Sequence, residues 1–179
     1  VILGTRAIAS PLALGNTVVL KASEECPRTH AMIVSALEDA GVPPGVVNLI
    51  VDAPADAADV VDELIAHPAV RRVNFTGSTR VGKKMLEYAG RSNMKRVWLE
   101  CGGKAPNVVM GDVADLDRAA NAAAYGIFFN QGEMCSAASR LVVHESVRDA
   151  LLEKIVEVGR TMAPGDPLDP KTRLGAIVD

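Results

Sequence analysis

Short β-branched apolar runs alternate with stretches whose apolar residues recur every three or four positions. This alternation constrains the fold of the 179 residues more than any other feature. Residues 17–21 follow the turn pair Gly15-Asn16 and predict a strand. Pro27 opens a helix over 27–40 in which Ile33, Leu37 and Ala40 share one face, and Gly41 stands where a helix end is capped. A turn over 41–45, a strand over 46–51 and a helix over 56–66 follow, the helix ended by His67-Pro68. A strand over 72–75, a helix over 79–89 and a strand over 96–100 complete this part. Strands separated by helices cannot be joined as hairpins and form parallel β-α-β units instead. The reading is an α/β chain with a Rossmann-like parallel sheet and helices on both faces.

After Glu100 the texture changes to a Gly-rich loop over 101–106 and a short apolar strand over 107–110. An Ala-rich helix over 116–129, a strand over 140–143, a helix over 147–160 and a Pro-rich loop over 164–170 come next. A domain boundary is placed near residue 101, giving domains 1–101 and 102–179, the second the start of another α/β domain. The chain has no initiator Met, opens inside an apolar segment and closes on the apolar run 175–179, so it reads as an internal piece of a longer protein.

Apolar residues at 49% and charged residues at 23% fit a soluble globular protein. The net charge of -3 comes without a basic patch, which argues against nucleic acid or an anionic membrane as the partner. No apolar run approaches the ~18 residues of a membrane span. Cys26, Cys101 and Cys135 are odd in number and widely spaced. They form no disulfide framework and no metal pattern, so no metal site is assigned and a reducing, cytoplasmic compartment is expected.

Three strings carry chemistry. Gly77-Ser-Thr-Arg-Val-Gly82-Lys83-Lys84 follows a strand and opens a helix, close to a phosphate-binding loop. Lys84, however, occupies the position where Ser or Thr must supply the hydroxyl for Mg²⁺. What remains is a small-residue turn at a helix N-terminus, suited to a pyrophosphate. Cys135 lies in a polar loop of small residues after a helix and is a candidate nucleophile. Taken singly, it is more often a buried structural thiol. Glu100 ends a strand beside Val97, Trp98 and Leu99 and is a candidate base, though a strand-end carboxylate facing water is the plainer reading. Cys26 and Cys101 read as structural, and His30, His67 and His144 read as surface or helix-end residues.

Five strings in order resemble the aldehyde dehydrogenase superfamily. They are Gly15-Asn-Thr-Val-Val-Leu-Lys21-Ala-Ser-Glu24, Gly41-Val-Pro-Pro-Gly-Val-Val-Asn48, Phe75-Thr-Gly-Ser-Thr-Arg-Val-Gly82, Glu100-Cys-Gly-Gly-Lys-Ala-Pro-Asn107 and Asn130-Gln-Gly-Glu-Met-Cys135. The resemblance implies a nicotinamide-dinucleotide-binding domain in 1–101 and the beginning of a catalytic domain in 102–179. It further implies that Cys135 is the nucleophile and Glu100 the base that activates water. Lys21 and Glu24 would hold the adenosine ribose of NAD, with NADP as the alternative cofactor. Gly77 and Ser78 would meet the pyrophosphate, and Cys101 and Gly102 the nicotinamide. The implied reaction oxidises an aldehyde to an acid through a thiohemiacetal and a thioester on cysteine.

The opening residues 1–11 and the run Cys26-Pro-Arg-Thr-His30 resemble members acting on benzaldehyde, salicylaldehyde or vanillin. A small, aromatic aldehyde is therefore the expected partner, and a homo-oligomer the expected full-length assembly. Three departures from the family pattern stand out. Ala22 replaces Pro, Cys101 replaces Leu, and Glu133-Met134 places a negative charge and a bulky residue before the nucleophile. The upstream Asn of the oxyanion hole and the downstream Glu of the nicotinamide ribose are expected outside these residues, so the isolated piece is expected to be inactive. The rival readings are a non-catalytic relative that binds a nucleotide or partner, and a phosphate-loop nucleotide hydrolase.

Overall fold

The computed structural model describes residues 1–177. Val178 and Asp179, which end the predicted domain 102–179 and the closing apolar run, lie outside the described residues. The chain divides into two compact units, Val1–Glu100 and Cys101–Asp179.

The first unit runs α1 (Ile2–Ala13), β1 (Val18–Lys21), α2 (Pro27–Asp39), β2 (Val47–Ile50), α3 (Ala57–Ala66), β3 (Arg72–Gly77), α4 (Thr79–Arg91) and β4 (Arg96–Cys101). β1 and β2 pair in parallel, from Val18 opposite Val47 to Lys21 opposite Ile50, with α2 as the crossover. β3 and β4 are hydrogen-bonded neighbours, so among the described residues these four strands form two ladders of two. Pro27 opens α2, where its missing N–H would have no intrahelical partner anyway. Past the end of α2, Gly41 takes φ +89, the left-handed conformation that lets the chain turn towards β2. α3 stops because His67 is extended before Pro68.

α1 was not anticipated from the sequence, where Gly4 and Pro11 break the apolar pattern. Packing decides it. Ile8 is buried, and Gly4 lies so close to α2 that a Cβ there would stand 3.1 Å from Ile33. Pro11 falls in the last turn, where the lost N–H removes a single helical bond.

The core of the unit is Ile65 from α3 and Met85 and Ala89 from α4. Val73 and Phe75 of β3 and Val97 and Leu99 of β4 pack against them. Burying each large side chain contributes roughly 1.5–3 kcal/mol. One charge enters this interior. The buried Lys95 ammonium donates to the carbonyls of Ile65 and His67 at the end of α3, where otherwise unbonded carbonyls and the helix dipole favour a cation.

The second unit runs β5 (Pro106–Val109), α5 (Leu116–Phe128), a 3-10 turn over Phe129–Gly132, β6 (Arg140–Val143), a 3-10 turn over Glu145–Val147, and α6 (Arg148–Arg160). β5 and β6 are parallel, with Pro106 opposite Arg140 and Val109 opposite Val143. The Asp115 carboxylate accepts the Arg118 amide at 2.9 Å and starts α5. Ala120, Ala123 and Ala124 of α5 are all buried, and Ala120 shares a core cluster with the fully buried Leu151 of α6. Among the described residues no helix is long and apolar enough to cross a membrane.

Candidate functional site

In the first unit the site begins at the ends of two parallel strands. Lys21 is the last residue of β1 and pairs with Ile50, the last residue of β2, so the residues after both strands emerge at one edge. In parallel α/β sheets this carboxyl edge is where ligands bind. The Lys21 ammonium donates to Glu24 at 3.1 Å and lies 3.2 Å from an oxygen of Asp52. Partial burial pulls the Lys21 pKa down, but the hydrogen bonds and charges of Glu24 and Asp52 outweigh it and hold the ammonium above its ordinary value. The Glu24 carboxyl is held below its usual range, first by a backbone hydrogen bond and then by Lys21. The structure brings Lys21 and Glu24, which the sequence pattern singles out, together with Asp52, an acid two residues beyond β2 that the pattern does not single out.

Gly77 ends β3, and Ser78 is the N-cap of α4, its hydroxyl accepting the Val81 amide at 3.3 Å. Gly82 is buried inside α4 and Lys83 and Lys84 are exposed on it. The turn outside the helix is thus too short to wrap a triphosphate, which removes the hydrolase reading. Ser78 stands at the N-terminus of α4, where free backbone N–H groups and the helix dipole favour an anion. Glu100 is half-buried near the end of β4, and Cys101 ends that strand half-buried. Gly102 is exposed with open space where a Cβ would be, so a flat group can approach its backbone. Cys26, read as structural, is instead exposed at the N-terminus of α2, its sulfur 3.9 Å from His30. Cys26 is the N-cap residue of α2, outside the helix proper, in which Val34 is the buried residue.

In the second unit Cys135 is exposed in the loop between α5 and β6. The backbone leading to it is bent through three successive left-handed residues, Asn130 at φ 50, Gln131 at φ 56 and Gly132 at φ 78. For Asn130 and Gln131 this conformation is costly, roughly 1–2 kcal/mol each, and such strain concentrates at functional loops. The bend is held by the Glu133 amide to Asn130, the Ala137 amide to Met134 and the Ala138 amide to Gly126, all at 2.9–3.0 Å. The exposed Glu133 lies two residues before the thiol.

Beside this loop is an open depression of about 360 Å³ lined by Tyr125, Gly126, Phe129, Met134 and Ser136. Met134 and Ser136 flank Cys135 in the chain. Tyr125 and Phe129 are one helical turn apart, and three of the chain's six aromatic residues fall between them. That aromatic cluster at the end of an Ala-rich helix was the sequence signal for the pocket, and the sequence reading did not use it. Among the described residues no three His, Cys, Asp or Glu side chains converge as metal ligands.

The model of the Aldehyde dehydrogenase family matches residues 1–179. The chain is 55% identical to vanillin dehydrogenase of Pseudomonas fluorescens over all 179 residues, which are 37% of that relative. It superposes with a TM-score of 0.93 on salicylaldehyde dehydrogenase from Pseudomonas putida G7 complexed with salicylaldehyde, at 43% identity over 99% of this chain and 36% of that one. An indole-3-acetaldehyde dehydrogenase in complex with NAD+ superposes equally well, with a TM-score of 0.93 and 46% identity over 99% of this chain and 35% of the other. The chain spans about a third of the length of the relatives it matches.

Proposed function

The chain belongs to the aldehyde dehydrogenase family, and on that premise we propose that the protein carrying it oxidises an aromatic aldehyde to the carboxylic acid with NAD. The observation that carries this reading is the exposed Cys135 in a strained loop beside an open depression lined by Tyr125 and Phe129. This depression is open to solvent, and the aromatic rings of Tyr125 and Phe129 at its edge favour a planar, apolar substrate over a charged one. The similarity to vanillin and salicylaldehyde dehydrogenases supports the same class.

In this reading residues 1–101 are the dinucleotide-binding part and 102–179 the beginning of the catalytic domain. Lys21 and Glu24 bind the adenosine ribose. Ser78, with Gly77 leaving room before it, orients the pyrophosphate at the N-terminus of α4. The backbone at Cys101 and Gly102 faces the nicotinamide.

The Cys135 thiolate adds to the aldehyde carbon and the carbonyl oxygen becomes an oxyanion. The Cys135 backbone N–H stabilises that oxyanion, and one such donor is worth about 10²–10³ in rate. Bound NAD supplies the hydride acceptor. Collapse of the adduct leaves an acyl thioester on Cys135, and Glu100 takes a proton from the water that attacks it. The acid departs and the thiolate returns, so the cysteine is unchanged over a turnover.

The test is the intact protein with NAD and a panel of benzaldehyde, salicylaldehyde, vanillin and short aliphatic aldehydes, followed by the absorbance of reduced nicotinamide. Aromatic substrates should give the higher kcat/KM. Mass spectrometry on Glu100→Gln should trap an acyl group on Cys135. Turnover that survives Cys135→Ser, or an acyl group on another residue, would overturn the assignment. A preference for aliphatic aldehydes would overturn the substrate class alone.

A further inference from the structure

We infer that Asp52 is a specificity-determining residue for the dinucleotide, holding Lys21 between two carboxylates so that its charge is not free to receive a 2′-phosphate. The inference rests on the proposed role of Lys21 and Glu24 at the adenosine ribose. Three observations carry it. The Asp52 side chain is 4% exposed, yet it stands at the carboxyl edge of β1 and β2 rather than in the apolar core. Its Oδ1 is paired with the Lys21 ammonium at 3.2 Å, and its Oδ2 has no hydrogen-bond partner among the described residues. The Lys21 ammonium is also bonded to Glu24 at 3.1 Å.

A buried carboxylate oxygen without a donor is costly, and native structures rarely leave one so. The donor missing here has a natural source in a ribose hydroxyl, which donates and also accepts. A 2′-phosphate offers no proton of that kind at neutral pH and brings charge of the same sign. A lysine at a strand end beside one acid still has donors left for a phosphate. A second, buried acid on the same ammonium uses that remaining charge and leaves the local sum of Lys21, Glu24 and Asp52 at one negative charge. Asp52 thus adds to the discrimination that Glu24 provides alone, and it does so from a position that cannot swing into solvent.

The experiment is calorimetric titration of NAD and NADP into the intact protein for the wild type, Asp52→Asn, Glu24→Gln, Lys21→Met and the Lys21→Met, Asp52→Asn double variant. Asp52→Asn keeps the shape, supplies a donor and removes the charge. It should tighten NADP relative to NAD by about tenfold, the size expected for removing one unit charge near a partly buried site. In the Lys21→Met background the same change should lose most of its effect, a coupling that a merely structural role would not produce. If Asp52→Asn leaves the NADP/NAD ratio unchanged while Glu24→Gln shifts it, the inference falls and the ribose site stands. If neither variant moves either affinity, the ribose site falls as well. Equal weakening of both nucleotides by Asp52→Asn would make Asp52 structural and overturn the inference.

Discussion

Gly77→Ala isolates a purely steric constraint at the nucleotide turn, because the backbone of Gly77 is not left-handed and only space is at stake. A Cβ built on Gly77 stands 2.6 Å from Cζ of Phe75, and 3.2 and 3.3 Å from the neighbouring ring carbons. The ring must retreat by about 0.8 Å to reach the 3.4 Å of an ordinary contact. It is not free to do so, because Phe75 packs on the core formed by Ile65, Met85 and Ala89. Crowding a half-buried ring that is packed on one side costs at most about 1–3 kcal/mol. The strain lands on β3 and the start of α4, where Ser78 caps the helix. We therefore expect faster hydrogen exchange of β3 and α4 amides in the intact Gly77→Ala protein, by roughly one to two orders of magnitude, and NAD binding weaker by about tenfold. Combining Gly77→Ala with Phe75→Leu removes the opposing atom. That pair should be less destabilised than the two single changes added together. Wild-type exchange and affinity in Gly77→Ala would show that the ring yields freely and that the packing reasoning is wrong. Strict additivity in the double variant would show that Phe75 is not the opposing group.

Cys135→Ala should abolish acid formation in the intact enzyme, whereas Cys26→Ala should stay near wild type, both read as NAD-dependent aldehyde turnover. Lys95→Met should lower stability by about 1–3 kcal/mol in chemical denaturation, because it strips the donor from the Ile65 and His67 carbonyls. The ion pair of Lys21 and Glu24 also sets a pH window. Glu24 titrates below its ordinary 4.5, so its contribution is complete above 4.5 and disappears as pH falls through the lowered value. Lys21 titrates above its ordinary 10.5, so its contribution is complete below 10.5 and disappears as pH rises through the raised value. The acid-side loss of NAD affinity in a pH titration should therefore be shallower in Glu24→Gln than in the wild type.

The sequence alone determined which segments become helix and strand wherever the local signal was strong. Pro27 and Gly41 bracket α2, Asp115 starts α5, and β6 at Arg140–Val143 lies where its β-branched run predicts it. It also fixed the order of the small-residue turns and of Lys21, Glu24, Ser78, Glu100 and Cys135, because a motif is a property of spacing along the chain. Tertiary structure decided what spacing does not encode. α1 forms despite Gly4 and Pro11 because Ile8 and the face against α2 are buried. The β-α-β alternation predicts the parallel pairing of β1 with β2, whereas its register, with Val18 opposite Val47, comes from packing between distant segments. Cys26 lies outside the core although its residue type favours burial. Asp52 lies 31 positions beyond Lys21 in the chain and gains its meaning only when parallel pairing brings the ends of β1 and β2 to one edge, 3.2 Å from the ammonium. Charge interaction depends on distance in space, and only the fold supplies that distance.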